Sequence, residues 1–299
     1  MPPKAVNKAR RSRRSKKPGV TISDAIRLLT DEYGPFENEP RLDPAHELVF
    51  TILSQHTSDR NSERAFRSLM HTFGTLEAVA EAEVANIEAA ISGGGLARVK
   101  APRIKEVLGM ILDLNDGSLD LHFLAEMPMD EARAWLRQLP GIGPKSAGII
   151  LSFSLGMPAM AVDTHIFRVS QRLGIIGPKV NADKAHEVLE AAMPPEDVYP
   201  FHAAFVTHGR QVCKAQRPLC GACVVSYGCP SRDEAAMPEA AASAGQKSGA
   251  TGNDSSDTDR PDGQAPGRRR RSGKAATATP VPHTQVVKQL QPSKSESSM

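Results

Sequence analysis

Four cysteines, the only ones among 299 residues, are Cys213, Cys220, Cys223 and Cys229, spaced C-x6-C-x2-C-x5-C. So tight a group is either a set of metal ligands or two disulfides. The chain has no signal-peptide pattern and no long apolar run, so a reducing compartment is expected, where clustered thiols serve metals more often than cross-links. Structural zinc sites usually show two C-x-x-C knuckles, or one paired with H-x3-5-H. A single C-x-x-C with four thiolates from one short loop suits an iron–sulfur cluster better. Zinc stays open on the spacing, and so do disulfides.

A second constellation is Leu139-Pro140-Gly141-Ile142-Gly143-Pro144-Lys145-Ser146-Ala147. A helix over Glu131 to Gln138 is expected before it. An apolar helix is expected after it, with Ala147, Ile150 and Leu151 on one face. Helix, h-G-h-G turn, helix is the pattern of a helix-hairpin-helix. Gly141 and Gly143 permit backbone conformations that other residues resist and clear side chains from the approach path. The amides opening the second helix can then hold a DNA phosphate without reading sequence. A bare helix C-cap would look similar, although Pro144 at the first helical position and Lys145 beside it strengthen the hairpin reading.

Lys145 stands in the first turn of that helix, where the macrodipole disfavours added positive charge. That is a poor place for a structural lysine and a good one for an amine that acts, neutral, as a Schiff-base nucleophile. A simple phosphate contact is the competing reading. Eighteen residues on, Ala161-Val162-Asp163-Thr164-His165-Ile166-Phe167-Arg168-Val169 ends an apolar stretch and starts an amphipathic helix. Asp163 is expected to cap that helix. A cap can also present an ionised carboxylate to a cleft, because the helix end stabilises the anion.

The elements that must position these groups are helical almost throughout. Ile22, Ile26 and Leu29 share one face; Asp43-Pro44 reads as an N-cap with proline at the first position; Leu48, Val49, Ile52 and Leu53 follow at helical spacing. A helix over Arg60–His71 is closed by Gly74, and Thr75 caps the next. Gly93-Gly94-Gly95 stops a helix carrying Ile87 and Ile91, and Ile104, Val107, Leu108, Ile111 and Leu112 form a further stripe. Strand-type alternation is nearly absent, and aromatic content of 4% argues against an aromatic-rich sandwich or barrel. An all-α region of some ten helices is expected between Val20 and Arg232.

The formal net charge of +3 hides an asymmetry. Residues 1–17 hold eight basic side chains and no acid, and the segment after Arg232 is nearly balanced. The middle is therefore acidic overall. A basic arm of this kind most often attracts polyanions such as nucleic acid; a solubilising arm and an organelle transit peptide are the alternatives. From 233 onward Ala, Ser, Gly, Pro and Gln dominate, with a second basic run at Arg268–Arg271, and disorder is expected there.

Taken together, L-P-G-x-G-x-K-S/T-A, then V-D-T-H-I-F-R-V, then H-G-R-x-x-C leading into the cysteine cluster at His208 to Cys229, make the chain resemble the endonuclease III family of helix-hairpin-helix DNA glycosylases. The resemblance covers roughly Val20 to Arg232. It implies an all-α, two-lobed helix-hairpin-helix glycosylase fold with a 4Fe-4S cluster loop. A six-helix lobe would span 38–157, a cluster lobe would combine 20–37 with 158–232, and 1–19 and 233–299 would be an arm and a tail. Lys145 stands at the family's catalytic lysine and Asp163 at its essential aspartate. Cys213, Cys220, Cys223 and Cys229 stand at the ligands of the 4Fe-4S cluster, and Lys214 and Arg217 between the first two ligands are placed to meet phosphates.

One stretch departs from the family. Ile52-Leu53-Ser54-Gln55-His56-Thr57-Ser58-Asp59 replaces L-L-S-A-Q-A-T-D, whose glutamine helps fill the gap left by a flipped base. Either His56 takes that role, or Gln55 does with a small shift. Leu96, in Gly95-Leu96-Ala97-Arg98, is the counterpart of a second wedge. The resemblance implies a bifunctional DNA glycosylase and AP lyase for oxidised pyrimidines, because lysine, aspartate and cluster occur together. The expected partner is double-stranded DNA with a damaged base or abasic site, with no membrane, the protein acting as a monomer. A glycosylase for uracil or thymine opposite guanine is a second reading, and a non-catalytic iron–sulfur DNA-binding protein a third. The expected location is the bacterial cytoplasm at the nucleoid, or the nucleus or mitochondrion if the source is eukaryotic.

Overall fold

A computed structural model describes residues 19–40 and 42–232; the basic arm up to position 18 and the tail from 233 lie outside the described residues. Eleven α-helices follow one another among those residues: α1 (Ile22–Tyr33), α2 (Pro44–Ser54), α3 (Asp59–Phe73), α4 (Leu76–Glu81), α5 (Val84–Ile91), α6 (Ala97–Leu114), α7 (Met129–Arg137), α8 (Pro144–Phe153), α9 (Thr164–Leu173), α10 (Ala182–Glu190) and α11 (Val198–Gln211). None is long and apolar enough to cross a membrane.

Helix starts follow local chemistry. Thr21 accepts from the Asp24 amide, Thr75 from Ala78, Asn181 from Lys184, and Asp43 from Ala45 and His46 with Pro44 at the first position. Each cap satisfies amides that the first turn leaves without a partner, worth about 1 kcal/mol apiece. Gly74 ends α3 at φ +78°, a left-handed conformation that a side chain would strain.

The helices bury their apolar faces in two separate cores. One runs from Ala45 to Ala159 and includes Leu48, Ile52, Phe66, Ile87, Ile104, Leu108, Leu136 and Ile150. The other joins Val20, Ala25, Ile26 and Leu29 of the N-terminal segment to residues from Met160 to Val225, among them Ile166, Val169, Phe201 and Phe205. The first helix thus packs with the last third of the chain, and two lobes result. A fully buried Leu, Ile or Phe contributes about 1.5–3 kcal/mol relative to exposure, so each core is a large favourable term.

Among the described residues, ion pairs cross between the lobes. Arg133 of α7 pairs with Glu190 of α10, and Arg210 of α11 lies 3.2 Å from Asp59 at the start of α3. The Asn38 side-chain amide adds a bond to the Ser152 carbonyl at 3.0 Å.

Candidate active site

The hairpin forms as its sequence requires. Helix α7 ends, Gly141 turns the chain at φ +79°, and α8 starts with Gly143 as N-cap and Pro144 at the first position. Gly143 offers no side-chain oxygen, so the opening amides of α8 carry no side-chain cap and face outward for an anion. Lys145 is exposed in that first turn and has no hydrogen-bond or ion-pair partner among the described residues.

Asp163 caps α9. Its Oδ1 accepts from the amides of His165 at 2.8 Å and Ile166 at 2.7 Å. Oδ2 makes no hydrogen bond among the described residues, so one carboxylate oxygen orients the side chain and the other stays uncommitted. The two readings of Asp163, cap and charge stabiliser, are therefore compatible in one rotamer.

A glycine brings the lysine's helix to the aspartate's loop. Gly148 lies one turn beyond Lys145, and a Cβ there would sit 2.8 Å from the Met160 carbonyl oxygen and 3.2 Å from the Ala161 Cα. Backbone therefore approaches backbone three residues before Asp163. The same loop is held from the other side by α10. Glu190 accepts from the Met160 amide while pairing with Arg133. His186 is buried, and burial holds it neutral by pushing its pKa down. Its Nδ1 lies 2.8 Å from the Met160 oxygen and 3.2 Å from the Val162 amide, so the tautomer selects which of the two bonds forms. A second close approach, Gly209 against His165 at 2.7 Å for a Cβ, seats α9 on α11.

The loop after α2 separates Gln55 from His56. The Gln55 amide donates to the Gly141 carbonyl at 3.0 Å, and its oxygen accepts from Arg103 at 3.4 Å. Gln55 thus braces the hairpin turn. His56 is exposed and left-handed at φ +53°. Leu96 is also left-handed, at φ +56°, and 53% exposed as the residue before α6. One buried lysine ties these two protrusions together. Lys100, 3% exposed, donates to the Leu53 carbonyl at 2.6 Å and to Thr57 Oγ1 at 2.5 Å, and desolvation pulls its pKa down. A lysine in an otherwise apolar helical stripe was the available sequence signal for this tie.

Beyond α11 the chain coils back so that all four cysteines line a single cavity with Arg172, Leu173 and His208. All four are free thiols. Burial and the neighbouring thiols push Cys223 up to about 11, and burial raises Cys229. Among the described residues no three His, Cys, Asp or Glu side chains converge on a single-ion site. Arg172 organises the first part of the loop, donating to Cys213 Sγ at 3.4 Å and to the carbonyls of Lys214 and Ala215 at 2.7 and 2.9 Å. Lys214 and Arg217 project from the same loop into solvent, Arg217 at φ +51°. His208 is 1% exposed, and burial pushes it down to about 4, so it is neutral.

Two all-α lobes, a helix-hairpin-helix turn bearing an exposed lysine and a carboxylate capping the next helix define the class as a helix-hairpin-helix DNA glycosylase. The HhH-GPD superfamily of base excision DNA repair proteins matches residues 49–195. Endonuclease III of Thermotoga maritima is 32% identical over 192 residues, 64% of this chain and 85% of that protein. Endonuclease III of Escherichia coli is 32% identical over 191 residues, with the same coverage. The structure of a trapped covalent intermediate of endonuclease III with DNA superposes with a TM-score of 0.60 at 28% identity, over 70% of this chain and 94% of the other. The chain belongs to the endonuclease III family.

Proposed function

We propose that this protein is a bifunctional DNA glycosylase and AP lyase that removes oxidised pyrimidines from duplex DNA, with Lys145 as nucleophile and Asp163 as its electrostatic partner. The observation that supports this reading is the Gly148–Met160 backbone contact, which brings the helix of Lys145 against the loop that leads into Asp163. The trapped protein–DNA intermediate of a relative supports a covalent mechanism.

The damaged nucleotide leaves the stack, at a cost of a few kcal/mol, exposing the sugar C1′. The Lys145 amine attacks C1′ as the bond to the base breaks, and the base departs with that electron pair. Asp163 Oδ2 stabilises the positive charge that develops on the sugar and takes the proton that the lysine gives up. The nitrogen lone pair then breaks the C1′–O4′ bond, O4′ takes the proton held by Asp163, and the resulting ring-opened iminium acidifies the C2′ proton. Its loss expels the 3′ phosphate by β-elimination, and water then hydrolyses the Schiff base to return the free amine.

The remaining roles divide by geometry. Phosphates lie against the α8 amides and against Lys214 and Arg217. His56 fills the gap left by the flipped base, since Gln55 is committed to Gly141, and Leu96 enters from the facing loop. Residues 20–37 with 158–232 and residues 38–157 act as the two lobes that close on the duplex.

The thiol-only donor set suits a 4Fe-4S cluster held by Cys213, Cys220, Cys223 and Cys229. The four thiols come from one short loop and line one cavity, and these are the residues that would hold it. Cys213, Cys220, Cys223 and Cys229 would bind it as thiolates, and so held the loop carrying Lys214 and Arg217 would keep its shape against DNA.

Borohydride trapping on oxidised-pyrimidine duplexes tests the assignment. A covalent adduct that disappears in Lys145→Ala is expected. A lesion panel including uracil and thymine opposite guanine decides the substrate: faster turnover of those mismatches than of oxidised pyrimidines would overturn it.

A further inference from the structure

The mechanism leaves unused a partly buried relay in the cluster lobe. Tyr33, the last residue of α1, and His208 of α11 are 175 positions apart, and Tyr33 Oη lies 2.8 Å from His208 Nδ1. His208 Nε2 lies 3.5 Å from Cys223 Sγ. The His208 carbonyl accepts from the Cys213 amide at 2.8 Å. One residue therefore reaches two of the four cysteines, one through its backbone and one through its ring.

Hydrogen-bond chemistry fixes the direction of this chain. A neutral imidazole has one N–H and one lone pair. A ligating cysteine is a thiolate, an acceptor only, so the nitrogen facing it must carry the proton. Nδ1 is then the acceptor, and the Tyr33 hydroxyl must donate to it. Without the hydroxyl nothing holds the tautomer, and the ring can turn its lone pair toward the sulfur. Other donors also reach ligand sulfurs: Arg172 on Cys213, and the backbone amides of Val225 and Ser231 on Cys223 and Cys229.

We infer that Tyr33 and His208 are positioning residues for the metal cluster: Tyr33 locks the His208 tautomer, and His208 donates to Cys223 Sγ, stabilising the reduced cluster and slowing its loss. The inference rests on the cluster reading above. Hydrogen bonds to ligand sulfur lower the energy of the more negative, reduced state and so raise the potential. Because Tyr33 belongs to α1, docking of the N-terminal helix and the electronic state of the cluster become linked through one bond.

The test uses the full-length holoprotein. Iron and sulfide content and the absorbance near 400 nm are measured first; a wild-type protein purified anaerobically without iron would overturn both the cluster reading and the relay. In iron-loaded protein, Tyr33→Phe keeps the ring and removes the hydroxyl. It should lower the reduced-to-oxidised ratio at a fixed potential about tenfold, a shift of about 59 mV for one electron. Chelator-driven bleaching should accelerate several-fold. His208→Gln places an amide N–H toward the sulfur that needs no tautomer lock, so adding Tyr33→Phe to it should change neither quantity. An unchanged potential and bleaching rate in Tyr33→Phe, with iron present, would sink the relay alone. So would an equal effect of Tyr33→Phe in both backgrounds, which would mean packing of α1 and not hydrogen bonding.

Discussion

Gly148 and Met160 meet backbone to backbone: a methyl group on Gly148 would sit 2.8 Å from the Met160 carbonyl oxygen. The obstacle is main chain, which cannot rotate aside. Helix propensity favours Ala over Gly by about 0.5–1 kcal/mol, yet here the added carbon must push α8 away from the Asp163 loop. A misplacement of about 1 Å can cost 10²-fold in rate. Gly148→Ala is therefore expected to slow single-turnover strand cleavage tenfold or more while the helical circular dichroism is kept. Wild-type turnover in this variant would show that the contact does not set the Lys145–Asp163 geometry.

Asp163 combines a cap and a charge, and two substitutions separate them. Asp163→Asn keeps an oxygen for the His165 and Ile166 amides, so Tm should move little. Losing the anion should lower the glycosylase rate by about 10² or more. Asp163→Ala should show the same rate loss and an additional destabilisation of about 0.5–2 kcal/mol. Denaturant melts paired with single-turnover kinetics read both; an active Asp163→Asn would leave the residue a cap only.

Gln55 and His56 should fail differently. Gln55→Ala removes the bond to Gly141 and should cost about 0.5–1.5 kcal/mol of stability. His56→Asn tolerates the same left-handed backbone but shortens the side chain. It should leave Tm in place and lower kcat/KM on lesion duplexes about tenfold, with 2-aminopurine fluorescence opposite the lesion reporting the unfilled gap. The reverse pattern would move the gap-filling role to Gln55.

His186 gives the loop before Asp163 a dependence on pH. Its folded pKa lies below the ordinary 6.5 because burial disfavours the cation. Below pH 6.5 the unfolded chain takes up a proton that the folded chain resists, so the stabilisation is complete above that value and is lost as pH falls through it. Wild-type Tm should therefore drop more steeply between about pH 7 and 5 than that of His186→Gln. Parallel curves would assign the acid sensitivity elsewhere.

Phosphate contacts are counted by salt. Each one lost should reduce the slope of log affinity against log salt by about one. Lys214→Ala and Arg217→Ala should each do so on lesion and undamaged duplexes alike. Removing residues 1–17, outside the described part of the chain, should flatten the slope further. A slope unchanged by that truncation would mean that the arm does not touch DNA.

Local chemistry was legible in residue order. Caps such as Asp43, Thr75 and Asp163 act over two or three residues, and the Gly141 turn and the cysteine spacing are equally short-range, so residue order specified them. The class, and the residues proposed to react, followed from motifs of the same local kind. Tertiary structure decided what sits across from what. Gln55 and His56 are neighbours in sequence, yet one folds onto Gly141 and the other points to solvent, because Arg103 and the hairpin turn offer partners on one side only. Lys100 joined to Leu53 and Thr57, Arg133 to Glu190, and Tyr33 to His208 across 175 positions are equally invisible to periodicity. The physical reason is common to all of them. A helical repeat records which face is buried, whereas the partner of a buried polar group depends on how two separately folded surfaces come together.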